Sequence, residues 1–110
     1  MAVAKKLFNP TQVGTTVETL YTVPAGVETM VKRLVAYNSD STDARVIEIH
    51  LVTAGSSAGA GNQLVKESVD PEDYAILDVE QVLEAGDMIQ AVASVATTVT
   101  VHGSGIEEVN

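Results

Sequence analysis

Two stretches of this chain alternate apolar and polar residues with the period of a half-buried strand. In Arg45-Val46-Ile47-Glu48-Ile49-His50-Leu51, the side chains of Ile47, Ile49 and Leu51 fall on one face, and those of Glu48 and His50 on the other. In Thr98-Val99-Thr100-Val101-His102 the valines point one way and the threonines and His102 the other. Less regular runs cover residues 17–23, 28–38, 63–68, 74–79 and 88–95. A short N-terminal strand over residues 3–8 brings the expected count to about eight. Met30 to Ala36 carries apolar residues on both parities, which fits a strand covered on both sides or lying at a subunit contact. Residues 71–83 are ambiguous, because Glu72 and Asp73 would suit the first turn of a short helix. Tyr74, Ile76, Leu77, Val79 and Val82 hold no 3.6-residue stripe, however, and the segment is read as a strand.

Turn residues punctuate these runs. Val23-Pro24-Ala25-Gly26 and Leu83-Glu84-Ala85-Gly86-Asp87 are tight corners: Pro24 pre-sets φ at a turn's second position and Gly26 tolerates positive φ. Each corner leads into an apolar strand, at Met30-Val31 and at Met88-Ile89, an echo that a double Greek key would produce. Asn9-Pro10, Asn38-Ser39-Asp40-Ser41, Asp70-Pro71 and Gly103-Ser104-Gly105 mark further breaks. The expected fold is all-β: a single antiparallel β-sandwich, a jelly roll with Ile47, Ile49, Leu51, Leu77, Val99 and Val101 in its core. Residues 1–14 are expected to form an N-terminal arm or edge strand, and residues 15–110 the sandwich.

Composition sharpens this picture. At 110 residues, with 45% hydrophobic but only 4% aromatic residues and no Trp, the chain has room for one core, and that core is aliphatic. The absence of Cys removes disulfides and thiolate metal sites. No apolar run approaches a membrane span, and Lys5 and Lys6 are followed by no apolar segment, so no secretory leader is expected. The net charge of -9 is uneven: all six Lys and Arg lie at or before Lys66, and beyond it the only charged residues are acids. Nucleic acid and anionic membrane are therefore not expected as partners.

Candidate chemistry is sparse. Gly55, Gly59 and Gly61 suggest a phosphate-cradling loop, but no helix start and no Lys-Ser/Thr follows, so a mobile connecting loop that orders against a neighbour is expected. Asp70, Glu72 and Asp73 gather three carboxylates suited to calcium, but without the interleaved Gly and Asn of a calcium loop; a solvated acidic corner is expected, calcium needing ligands from elsewhere. His50 and His102 would supply half a metal site if their strands paired, and are otherwise surface or subunit-contact residues. No Gly-x-Ser-x-Gly elbow places a serine on a strained turn. No catalysis, no cofactor and no metal are expected.

Leu20-Tyr21-Thr22-Val23-Pro24-Ala25-Gly26, Val31 to Asn38, and Val82-Leu83-Glu84-Ala85-Gly86-Asp87-Met88-Ile89-Gln90-Ala91 together resemble a pattern in small structural proteins of tailed bacteriophages. The pattern runs as L-Y-T-V-P-A-G, a strand ending in Asn, a strand with a Gly/Ser-rich tip, and L-x-A-G-D-x-I before a small-residue strand, over about residues 16–107. The resemblance implies a short β-sandwich that serves as a capsid cement or decoration protein on the outer surface of the virion head, with the major capsid protein as partner. The alternative is a tail, neck or fibre module, and the chain's length favours the first. A small carbohydrate-binding sandwich is a competing class, weakened by the scarcity of aromatics. A homo-oligomer, dimer or trimer, is expected because a small sandwich has edge strands to cover. The expected contact residues are Lys5, Lys6 and Phe8 of the arm, Met30, Lys32 and Leu34 of the two-faced strand, and Gly55, Gly59 and Gly61 of the loop.

Overall fold

Eight strands form in the computed structural model, which describes residues 2–109; Met1 and Asn110, the outer ends of the two segments expected from sequence, lie outside it. They are β1 (Ala2–Gln12), β2 (Glu18–Thr22), β3 (Val27–Asn38), β4 (Arg45–Val52), β5 (Gln63–Val69), β6 (Tyr74–Leu83), β7 (Met88–Ala93) and β8 (Val99–Val109). Val, Ile and Thr are stiff at χ1 and pack well on a pleated surface, which is why a chain so rich in them makes strands throughout. A front sheet has the order β1-β8-β3-β6 and a back sheet the order β2-β7-β4-β5, with every pairing antiparallel. Only the connection from β4 to β5 stays within one sheet; every other connection crosses between them. That is jelly-roll topology.

The inner faces meet in an aliphatic core. Ile47, Ile49, Val99 and Val101 are completely buried there with Leu34 and Ile89, while Leu51 and Leu77 pack half-buried at its margin. Each fully buried side chain of this kind contributes about 1.5–3 kcal/mol.

The two corners singled out in sequence hold each other. Gly26 (φ +74) carries β2 into β3 and Gly86 (φ +88) carries β6 into β7, so both cross between the sheets at one end. There the Val23 N–H donates to the Asp87 carbonyl at 2.9 Å, and the Gly86 N–H donates to the Val23 carbonyl at 3.0 Å. The Asp87 carboxylate accepts from the Ala54 and Glu84 N–H groups at 3.0 and 2.9 Å, tying the β4–β5 loop to the same corner. Each turn thereby satisfies backbone groups of the next.

Three expectations are corrected. Asn9-Pro10 makes no break between strands but lies inside β1, where the register against β8 slips between Phe8 and Thr11. Gly103-Ser104-Gly105 makes no turn but lies inside β8. A Cβ on Gly103 would stand 2.6 Å from Phe8 Cζ, and one on Gly105 would run into the Met30 carbonyl, so these glycines admit a ring and a close backbone approach. The two-faced pattern of Met30 to Ala36 arises largely from a bulge, not from a strand covered on both sides. The register of β3 against β8 slips between Val31 and Arg33, making Lys32 an extra residue. Thr29 and Val31 face inward before it and Leu34, Ala36 and Asn38 after it, so inward positions change parity along the strand.

At the end of β3, Asn38 is completely buried. Its amide donates to the carbonyls of Asp43 and Val69 at 3.0 Å and of Asp70 at 3.3 Å, and its oxygen accepts from the Asp40 N–H at 2.9 Å. One side chain thus anchors the β3–β4 and β5–β6 connections together.

Candidate interaction surface

The expected contact residues do not form one site. Lys5, Lys6 and Phe8 sit on β1, which is paired along its length with β8 as an edge strand of the front sheet. Lys5 bonds Glu107 at 3.1 Å, Phe8 folds inward onto Gly103, and only Lys6 projects outward, beside Arg33, His102 and Ser104. Leu34 is 0% exposed and has no surface to offer a partner, because the bulge at Lys32 turns it into the core. Gly55, Gly59 and Gly61 lie across the back sheet, on the opposite side of the sandwich from Met30 and Lys32. The structure therefore brings together only Lys6, Met30 and Lys32.

The glycine loop is not held open for a neighbour. Asn62 caps it from within, its oxygen accepting from the Gly59 N–H at 2.9 Å and its amide donating to the Ser57 carbonyl at 2.9 Å. Those two bonds fix the amide's orientation, so the 3.0 Å contact between Asn62 Oδ1 and His50 Nδ1 requires the histidine to donate. The loop covers His50, which is 4% exposed although it points away from the core. His102 lies on the front sheet, so the two histidines occupy opposite outer faces and cannot share a ligand.

Asp70, Glu72 and Asp73 turn the chain between β5 and β6. Glu72 adopts φ +51 and donates its N–H to the Asp40 carbonyl at 3.0 Å, while the Asp73 carboxylate accepts from the Tyr74 N–H at 2.8 Å. Among the described residues, no three His, Asp or Glu side chains converge in a way that would hold a metal ion. Across from this turn, the Thr42 and Asp43 N–H groups, and then Arg45 at 2.7 Å, hold the Asp40 carboxyl well below the usual carboxylate range.

At the other end of the sandwich, Tyr21 of the back sheet reaches Glu107 and Thr29 of the front sheet. The phenol's one proton goes to the Glu107 carboxylate, so the Thr29 hydroxyl donates to the phenol oxygen at 2.8 Å. Burial, reinforced by the Glu107 carboxylate, pushes Tyr21 up to about 12. In return the Tyr21 hydroxyl, helped by Lys5, holds Glu107 below its ordinary value. The cluster clips the sheets together and leaves no proton poised for transfer near pH 7.

What remains is the outer face of the front sheet. Register places Ala4, Ile106, Met30 and Val82 in one row across β1, β8, β3 and β6. The next row along the strands is polar: Lys6, Ser104, Arg33 and Asp78, with Arg33 bonded to Asp78 at 2.9 Å and Lys32 to Glu80 at 3.2 Å beside it. Beyond it come His102, Val35 and Ile76, then the cross-strand pair Tyr37 and Tyr74. Val82 and Tyr74 are each 58% exposed and Ile76 is 48% exposed. The sequence carried part of a signal for this face: Tyr74 to Val82 is apolar on both parities, and on β3 Met30 and Val35 are apolar at outward positions, with no second protein layer outside either strand among the described residues.

No family model matches the chain, and no curated protein matches it. Among solved structures, a chain from the disulfide-linked pili that form Bacillus endospore appendages superposes with a TM-score of 0.58 at 12% identity, over 98% of this chain and 88% of that one. A chain of infectious bursal disease virus, Gx strain, gives a TM-score of 0.49 at 11% identity; this chain spans 32% of its length. A pentameric capsid protein isolated from metagenomic phage sequences gives 0.34 at 17% identity, over 91% of this chain and 59% of that one. The pilus superposition shows that the whole chain is similar in fold to a known β-protein of comparable size.

Proposed function

We propose that this chain is a structural protein of a tailed-bacteriophage virion: a cement or decoration protein that binds the outer surface of the head, reinforces contacts between major capsid subunits and catalyses no reaction. The observation that carries this reading is the outer face of the front sheet, where rows of exposed apolar side chains flank a charged belt on a frame whose turns are locked to one another. Contiguous exposed apolar side chains mixed with charged ones are a mark of a surface made for protein contact. The motifs at Val23–Gly26 and Leu83–Ile89 support the same reading, since their residues form the paired corners that position both sheets. An acidic chain with net charge -9 has no means of gripping packaged DNA and would face outward. Individually weak contacts suffice, because many copies on one shell act together.

The similarly folded pilus chain belongs to an assembly joined by disulfides, whereas this chain has no Cys and would assemble through noncovalent surfaces alone. Tyr37 and Tyr74, side by side on the front sheet, are the one feature that favours a sugar-stacking reading. Tyrosines paired across strands also occur as ordinary sheet stabilisation.

The test is reconstitution. Heads assembled without this protein should bind it when added back and should then withstand heating that ruptures undecorated heads. Binding to isolated tails and not to heads would overturn the reading in favour of a tail, neck or fibre component. Retention on immobilised glycans, lost in Tyr74→Ala, would favour the sugar-binding alternative.

A further inference from the structure

We propose that the outer face of the front sheet pairs with the same face of a second copy, about a two-fold axis running parallel to the strands between β8 and β3. The sheet order β1-β8-β3-β6 makes the consequence simple: such an axis exchanges β8 with β3 and β1 with β6. In the polar row, Lys6 comes over Asp78 of the second copy, and Arg33 over Ser104. In the apolar row, Ile106 comes over Met30 and Ala4 over Val82. Lys6 meets an opposite charge and apolar side chains cover one another, while at one edge of the face Glu28 comes over Glu108, a like-charge contact at the solvent rim. Lys6 has no ion pair within its own chain among the described residues, and Asp78, although bonded to Arg33, keeps a carboxylate that is 68% exposed.

The other simple two-fold lies along the polar row, perpendicular to the strands. It maps each strand onto itself, setting Lys6 on Lys6, Arg33 on Arg33 and Asp78 on Asp78. That arrangement stacks three like-charge contacts at the centre of the face, where they are desolvated, whereas the first leaves its Glu28–Glu108 contacts at the solvent rim; the first is therefore favoured. The back sheet offers no equivalent surface, since the loop over His50 covers part of its outer face and Thr19, Gln90, Glu48 and Lys66 line much of the rest.

The area is adequate. Four strands at ~4.8 Å spacing and about eight residues of length give a footprint of roughly 20 by 25 Å, or about 1,000 Å² counted over both copies. That lies at the threshold of a specific interface and implies a reversible dimer. The pairing holds for the protein free in solution; because the same face cannot meet a second copy and a head at once, head binding exchanges the second copy for capsid surface, which a reversible dimer permits.

The full chain provides a clean test because it has no Cys of its own. Single variants Ala4→Cys and Val82→Cys are purified, mixed and treated with a bifunctional thiol reagent whose spacer is about 8 Å, matched to facing sheets about 10 Å apart. The axis sets Ala4 of one copy against Val82 of the other across packed faces about 10 Å apart, too far for a direct disulfide but within reach of a short linker, whereas Ala4 to Ala4 and Val82 to Val82 are also displaced sideways by three strand spacings, about 14 Å, beyond its span. The mixture should cross-link and neither variant alone should. In sedimentation equilibrium, Val82→Glu should raise the dimer dissociation constant about tenfold or more, while Val17→Glu, exposed elsewhere, leaves it unchanged. A parent protein that stays monomeric at hundreds of micromolar, or an Ala4→Cys variant that cross-links to itself as readily as the mixture does, would overturn the pairing. A strict monomer that still binds heads would refute the dimer and leave the head reading standing; a dimer that never binds heads would do the reverse.

Discussion

Replacing Asn38 tests whether one buried amide holds an end of this sandwich. The side chain is 0% exposed and makes three contacts of 2.9–3.0 Å, to the Asp43 and Val69 carbonyls and the Asp40 N–H, with a fourth at 3.3 Å to the Asp70 carbonyl. At about 1 kcal/mol for each well-formed bond, and more for polar groups left buried without a partner, Asn38→Ala should cost about 3–4 kcal/mol. In a domain of this size that corresponds to a melting temperature lower by roughly 12 °C or more. Asn38→Asp discriminates further, because it keeps the volume and the oxygen facing the Asp40 N–H but turns a carboxylate toward three carbonyls. It should cost at least as much as the alanine. Thermal unfolding followed by circular dichroism gives the shift, and urea titration with an unchanged m-value confirms that stability alone has moved. An Asn38→Asp protein melting within about 3 °C of the parent would show that the amide's donors do not anchor the two connections.

Other outcomes follow from the same coordinates. Gly103→Ala places a methyl 2.6 Å from Phe8 Cζ and 3.0 Å from Leu34 Cδ2, and should destabilise by about 1–3 kcal/mol; adding Phe8→Ala should recover part of that loss, and strict additivity of the two substitutions would refute the close approach. Glu107 is held below its ordinary range by the Tyr21 hydroxyl and then by Lys5, so its contribution is complete above the unfolded value of about 4.3 and is lost as pH falls through the lower folded value. Glu107→Gln should therefore flatten the acid limb of a plot of melting temperature against pH, and an unchanged limb would count against the cluster. Tyr21 moves the opposite way: its contribution is complete below about 10 and is lost as pH rises toward about 12, so Tyr21→Phe should abolish the last step of an absorbance titration of tyrosinate.

Much of the fold could be read from the chain because the strands obey local rules. Ile47 and Ile49 on β4, and Val99 and Val101 on β8, alternate strictly and lie where the alternation puts them, and the corners at Gly26 and Gly86 take the positive φ that only glycine adopts freely. The misreadings have a common cause in non-local contacts. Gly103 and Gly105 look like turn residues until Phe8 and the Met30 carbonyl are seen to need their missing side chains. Leu34 looks like a face residue until the bulge at Lys32 changes parity beneath it. Asn62 stands at the end of a loop that reads as slack, yet it closes that loop over His50 through bonds no local pattern announces. The proposed contact face was half legible: Met30 and Lys32 stood out on β3, but Val82 and Ile76 on β6 join them only once sheet order and register are known.

The central claim is that this protein belongs to the outside of a phage head. Cryo-electron microscopy of intact virions, with the copy number measured by quantitative mass spectrometry of the same preparation, tests it most directly. The account predicts density for this jelly roll on the outer capsid surface over junctions between major capsid subunits, in copies comparable in number to the capsid protein. Density confined to the tail, neck or fibres, in the few copies those structures hold, or no copy in the particle at all, would contradict it.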